Sequence, residues 1–361
     1  MKRTQESPIW TLCLLAAVLL SWAAVPATTQ ADEEEAMPET PAAASEERRA
    51  EIASQLGLEA EKLADLDVRP LYTFEEGEVH VYLAYLQEAI PDLRERVVYL
   101  GRKNLGQPYS LHLLGEFPFE TYDPLPLYNL EQSDCVVFAE HTLAMALSDD
   151  WPSFFTMLQR IRYQNGRIGV VTRNHYTESD WNANNSWLVE DMSAQLAGED
   201  VVHMRQTIRR SNFLANRYDL ERDIPDRVWN DVYVPHQRVP EIEDQLEDGD
   251  LVNVMVGRNA SSAYATHVGM IVHGEDGTVN FLHSTRPRVR EESFSDYIGR
   301  YVDSEERRLE ENRPILYGFK FLRLREDPLQ TLREIDGPAA PVVSYTPDAE
   351  FVIPEEDIVE D

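Results

Sequence analysis

Three side chains have the types and neighbours that nucleophilic chemistry uses: Cys135, His267 and His283. Cys135 follows Ser133 and Asp134, residue types that cap helices, and precedes an apolar run to Leu147 that reads as a helix. That order puts the thiol in the first helical turn. Free backbone N–H groups and the positive end of the helix dipole lie there, and both favour a thiolate. The same N–H groups could hold a developing oxyanion. His267 and His283 fall in two β-rich runs on either side of Glu275-Asp276-Gly277, a tight-turn sequence. A hairpin there brings His267 nearly opposite His283, and cross-strand neighbours are about 5 Å apart. One imidazole then serves as base and acid, and the other fixes its orientation.

These residue types have other uses. Cys135 also suits a small apolar position on a core helix, and two histidines can share a hairpin without purpose. His273 has the strand parity of His267 but lies about 20 Å further along an extended strand, too far to be a partner. Cys135, His267 and His283 could ligate zinc, yet no HExxH or CxxC pair accompanies them. Glu140 and His141, the only adjacent carboxylate and histidine, sit on the core helix and read as structural. Neither a metal nor a cofactor is expected.

The elements that must position these residues are legible in part. Helical spacing begins at Ser45 and runs through Leu63. A second stretch, His80 to Gly101, contains Pro91, which divides two helices. The segment from Gly106 to Asn129 is rich in Pro, Gly and aromatics and reads as an ordered loop. A polar middle segment, about 150 to 240, follows the cysteine helix. The strands come late, as "DLVNVMVG", "ATHVGMIVHG", "TVNFLHST" and "ILYGFKFLRL". Helices first and strands afterwards predict an α+β fold with an antiparallel sheet.

The ends of the chain carry other signals. Lys2 and Arg3, an apolar run from Ile9 to Val25 and small residues after Pro26 read as a secretory signal peptide over 1–31. An uncleaved anchor is the alternative, at the short edge of what spans a bilayer. Residues 32–44 read as a disordered linker, 45–334 as one catalytic domain and 335–361 as a loose, acidic, Pro-rich tail. Cleavage would leave Cys135 as the lone cysteine of an exported, periplasmic or secreted protein. An exported enzyme rarely keeps a lone unpaired thiol without use, because oxidation threatens it.

Composition excludes some partners. The 361 residues hold 33 Lys and Arg against 65 Asp and Glu, a formal net charge of -32. A nucleic-acid backbone needs a basic face, and so does an anionic membrane surface. No nucleic acid and no stable membrane association after signal cleavage are therefore expected. The acidity itself suits solubility. Oligomeric state leaves no mark in the sequence.

The motifs "GQPY", "DCVVFAEH", "LEDGDLVNVMV", "HVGMIV" and "FLHST", in this order, resemble the NlpC-type papain-like cysteine amidases of bacterial cell walls. The additional "LLGEFPFE", "IRY" and "RNHYTESDW" are similar to the N-acetylmuramoyl-L-alanine amidase-like branch. The likeness runs from about Tyr85 to Leu324. It implies a papain-like fold, with Cys135 as nucleophile, His267 as base and His283 as the orienting third residue. Tyr109, from "GQPY", matches a tyrosine that helps position the oxyanion. Two departures stand out: a longer Pro-rich loop precedes the cysteine, and a large insertion separates Cys135 from His267. Arg173, His175, Tyr176, Asp180, Trp181 and Asn184 crowd that insertion. Arg173 could pair with a peptide carboxylate, and Tyr176 or Trp181 could stack on a sugar or peptide face. An ordered loop held by its own polar side chains is the other reading.

The implied reaction is hydrolysis of the amide between N-acetylmuramic acid and L-alanine in peptidoglycan fragments, through a Cys-His-His triad and an acyl-enzyme. Cleavage within the stem peptide, from D-glutamate to a diamino acid, is one alternative. A non-catalytic domain that binds wall fragments is the other. A general papain-like protease is disfavoured by the absence of C-G-S-C-W surroundings.

Overall fold

A computed structural model describes residues 42–337, 343–347 and 349–359. The signal-peptide stretch, and the linker up to residue 41, lie outside the described residues. Helix α1 (Glu46–Leu56) begins where Ser45 accepts the Arg48 N–H and ends at Gly57, whose φ of 68° closes the turn. Helix α2 (Ala60–Val68) follows. Pro91 divides α3 (Glu76–Ala89) from α4 (Leu93–Arg102), as its missing N–H requires. Helix α5 (Cys135–Ala146) and helix α6 (Trp151–Arg162) both start on aspartate caps, Asp134 and Asp150.

The antiparallel sheet contains β1 (Val189–Asp191), β2 (Val202–Ile208), β3 (Arg227–Pro235), β4 (Leu251–Gly257), β5 (Tyr264–His273), β6 (Val279–Ser284), β7 (Val289–Ser293) and β8 (Ile315–Leu324). Its spatial order is β2-β3-β8-β4-β5-β6-β7, with β1 also paired to β8. The chain is thus α+β, as expected. The strands begin earlier than the sequence suggested, because β1 to β3 lie in the polar middle segment. Strand β2 alternates buried and exposed residues and is paired only with β3, so its apolar content is low.

Both faces of the sheet are covered. On one side Val97, Leu100, Phe138 and Leu143 of α4 and α5 pack on Leu251, Met270, Leu282 and Leu322. On the other, Phe294 and Tyr297 of helix α7 (Phe294–Asp303) pack on Val252, Ile271, Phe281 and Phe319. Strand β4, buried along its whole length, is the centre of the sandwich. This fixes the start of α5 against the β5–β6 hairpin.

The C-terminal stretch is docked rather than loose over its described residues. Ser344 and Tyr345 pair in parallel with Arg167 and Ile168. Phe351 is buried under the Arg210 guanidinium, 3.7 Å from its ring centre. Asp357 binds Arg227 at 2.8 Å. Widely spaced single residues make these anchors, and they leave no periodic signal.

Candidate active site

Asp134 sets the geometry at Cys135. Its carboxylate accepts from the N–H groups of Val136 at 3.1 Å and Val137 at 2.9 Å. The cap therefore engages two of the amides available to an oxyanion. At the sulfur lie the amides of Val268 from β5, of Val136 and of Cys135 itself. Val268 packs directly on Cys135 and Ala139. It is the residue after His267, so hairpin and helix meet at the thiol.

The environment does not favour a resting thiolate. Cys135 is 6% exposed, and burial pushes its thiol up to about 12, with the Asp134 charge adding to the rise. The backbone N–H groups of Val268, Val136 and Cys135 oppose this only in part. Desolvation thus works against the helix terminus that the sequence places at this thiol.

His267 and His283 are brought together. His267 Nε2 lies 2.6 Å from His283 Nδ1. They are not directly opposite. The β5–β6 register pairs Met270 with Leu282, and its next step sets Gly269 against His283. A Cβ at Gly269 would sit 2.8 Å from the Cβ of His283, so the glycine leaves the room through which the two rings meet diagonally. His283 in turn lies 2.8 Å from Glu292 Oε1 on β7. Burial holds both imidazoles below the usual histidine range. The sequence reading missed Glu292. The signal was available in strand parity, since Glu292 lies two residues from Arg290, which pairs with His283.

Tyr109 joins the cysteine rather than the histidines. Its N–H donates to the Pro287 carbonyl at 2.9 Å, and Tyr109 bridges to Ser133 in parallel. Burial raises its phenol well above the usual tyrosine value, with further upward pressure from Cys135 and Asp134. A buried serine pair pins the two halves of the site: Ser133 Oγ is 2.9 Å from Ser284 Oγ, next to His283. Gln107 of "GQPY" accepts from the same Ser133 hydroxyl at 2.7 Å. Tyr297 of α7 is the shared wall, with its ring centre 6.4 Å from that of His267.

The six insertion residues proposed to hold substrate are engaged by the protein itself. The Arg173 guanidinium binds Glu116, through Nε at 2.6 Å, and Asp123 at 2.8 Å. Its charge is therefore neutralised before any peptide carboxylate arrives. His175 Nε2 bonds the Val170 carbonyl at 2.6 Å. Tyr176 packs on Phe213, and Asp180 pairs with Arg210 in the interior. Trp181 donates to Glu140 of α5 at 3.1 Å. Asn184 donates to Asn174 at 2.7 Å. These residues bolt the insertion to α5 and to the Pro-rich loop.

Glu140 also binds Arg162 at 3.1 Å, and burial presses His141 down to about 3 while it bonds the Val137 carbonyl at 2.8 Å. Both are held inside the protein by these bonds. His273 bonds Asp248 at 2.8 Å, away from the site. Among the described residues, no group of three or more His, Cys, Asp or Glu is arranged to hold a metal ion.

Solved structures share the fold. A protein from Legionella pneumophila strain Philadelphia 1 superposes with a TM-score of 0.57 at 18% identity, over 68% of this chain and 94% of its own. An N-acetylmuramoyl-L-alanine amidase from Bacteroides uniformis superposes with a TM-score of 0.50 at 20% identity, over 64% of this chain and 99% of its own. No curated protein sequence matches. The family model for AmiA-like, N-acetylmuramoyl-L-alanine amidase-like proteins matches residues 99–305, more than half of the chain and the whole span from Tyr109 to Glu292, and the chain belongs to that family.

Proposed function

We propose that this protein is an exported cysteine amidase of the NlpC-type, papain-like superfamily. It hydrolyses the amide between N-acetylmuramic acid and L-alanine in peptidoglycan fragments. The observation that carries the reading is the meeting of Cys135, at the start of α5, with Val268 of β5, one residue from the hydrogen-bonded His267–His283 pair. Family membership supplies the substrate class.

Cys135 attacks the lactyl carbonyl carbon. Its proton passes to His267 Nδ1 as the carbon–sulfur bond forms. The Cys135 amide, with Tyr109, holds the oxyanion. The carbon–nitrogen bond then breaks, and His267 returns the proton to the L-alanine amine. In the second half a water gives its proton to His267 and its hydroxyl to the thioester carbon, restoring the thiol. His283 acts through His267 by holding its ring. Because burial raises the thiol, deprotonation belongs to the attack itself rather than to a stored ion pair.

Export rests on the Lys2-Arg3 start and the apolar run to Val25. The N-terminal mass of protein recovered outside the cytoplasm tests it. The reaction is tested by mass spectrometry of products from muramyl tetrapeptide, with Cys135→Ala as control. N-acetylmuramic acid plus an intact peptide beginning with L-alanine is the expected result. A shortened muramyl dipeptide would make the enzyme a stem-peptide endopeptidase. Tight binding with no product would make it a binding domain.

A further inference from the structure

The proton arrangement of the His267–His283 pair follows from a third residue. Glu292 presents Oε1 to His283 Nε2 at 2.8 Å and to Arg290 at 3.0 Å, while its other oxygen pairs with Arg300. Burial pushes the Glu292 carboxyl up, yet the His283 hydrogen bond and the two arginine charges outweigh it and hold it at about 2. The carboxylate is thus ionised at any working pH, and an ionised carboxylate only accepts. His283 Nε2 must carry its hydrogen. A neutral imidazole has one N–H, so His283 Nδ1 is a bare acceptor. The 2.6 Å contact then needs its donor from His267, which places the hydrogen on Nε2 of that ring. His267 Nδ1 is left with a free lone pair.

We infer that Glu292 is a positioning residue: acting through His283, it fixes the tautomer of His267 so that Nδ1 is the atom that accepts the Cys135 proton. This rests on the cysteine-amidase reading for its consequence, though not for its geometry. No proton travels to Glu292. When His267 takes the thiol proton at Nδ1 it becomes an imidazolium. Its Nε2–H still points at His283, whose far edge faces the negative carboxylate. The remaining neighbours do not supply that charge. Phe281 and Tyr297 border the two rings, Arg290 and Arg300 disfavour an imidazolium, and Tyr109 and Asp134 lie on the cysteine side. Protonating His283 would destroy the device, because both its nitrogens would then donate and His267 would have to turn its lone pair away from the thiol.

The test uses the full mature chain and two independent readouts. In ¹⁵N NMR of free wild-type protein, both rings are expected as the Nε2–H tautomer. A His267 carrying its hydrogen on Nδ1 would overturn the inference whatever the activity. In Glu292→Gln the amide can offer an N–H to His283, so the reversed tautomer is expected to appear. On muramyl tetrapeptide kcat is expected to fall about 10²-fold, the lower end of what positioned acid–base catalysis contributes, with KM within about twofold. The acid limb of kcat/KM is expected at lower pH, since two arginines are left unopposed beside the pair. Glu292→Asp keeps the charge and is expected to recover part of kcat, and it stands in for the Gln variant if that one fails to fold. Wild-type-like kcat and an unchanged acid limb in the Gln variant would sink the proposal. If wild type turns over no muramyl peptide, the amidase reading fails, and the NMR arm still decides the tautomer.

Discussion

Gly269 faces His283 across the β5–β6 hairpin so closely that a Cβ on the glycine would lie 2.5 Å from the Phe281 ring and 2.8 Å from the Cβ of His283. The diagonal meeting of His283 with His267 depends on that missing side chain. Gly269→Ala is therefore expected to cost about 1–3 kcal/mol through overpacking. It should also move His283 and reduce amidase turnover by far more than the lost stability accounts for. Urea unfolding and kcat on the same preparation separate the two. Unchanged kcat in a destabilised variant would show that the ring geometry tolerates the shift.

The Arg173 side chain bridges Glu116, which is 0% exposed, and Asp123. Removing it strands a buried carboxylate. Arg173→Ala is expected to destabilise the fold by about 3–5 kcal/mol, the range for breaking one side of a buried pair. KM in whatever protein stays folded should change little. Full stability with a raised KM would restore Arg173 as a substrate ligand.

These two positions illustrate what the sequence could and could not disclose. Residue type and local order located Cys135 on a capped helix and the two histidines in one hairpin. Those signals are local: a cap, an apolar run, a turn. They also gave the α+β class, because the late strands are apolar. The insertion stayed ambiguous because Arg, His, Trp and Asp have the same one-dimensional appearance whether they bind a ligand or each other. Only the long-range partners decide, and Glu116 and Glu140 lie far from Arg173 and Trp181 in the chain. Glu292 escaped although it is close to His283 in the chain, because its role exists only once β6 and β7 are in register. The upward pull of burial on the thiol was hidden too, since burial is a property of the fold.

That burial has a direct consequence for Cys135 chemistry. With the thiol at about 12, the free enzyme holds little thiolate at neutral pH. Iodoacetamide is expected to modify Cys135 slowly at pH 7, with a rate that keeps rising about tenfold per pH unit toward pH 10. Fast, pH-independent alkylation from pH 6 to 8 would reveal a preformed thiolate–imidazolium pair and refute the neutral resting state.

Glu178 offers a pH test of stability. It is 6% exposed in the insertion, accepts the Ala265 N–H at 2.5 Å, and burial raises its carboxyl to about 7. The folded state then holds a proton that the unfolded chain has released. Between pH 4.5 and about 7 its contribution to stability falls as pH rises, because the unfolded state binds fewer protons. Glu178→Gln retains an acceptor for Ala265 and removes the titration. Its melting temperature is expected to match wild type at pH 4.5 and exceed it at pH 8. Equal melting temperatures at both values would mean that the carboxyl ionises freely in the fold.

The docked C-terminal stretch yields the last prediction. Phe351 fills a small core with Val170, Val171, Leu214 and Leu220, roofed by Arg210. Arg210 also pairs with Asp180, inside the π-helical turn Thr177–Asn182 that carries Trp181. Trp181 reaches Glu140 on the cysteine helix. A chain of buried contacts thus runs from the C-terminal stretch to α5. Phe351→Ala opens a cavity under Arg210 and is expected to cost about 3 kcal/mol or more. Because the other core clusters are separate from this one, the loss should appear first as faster proteolysis within residues 164–227, before global unfolding. Limited proteolysis with mass mapping checks it. Cleavage confined to residues beyond 337 in both wild type and variant would show that the stretch carries no load for the insertion.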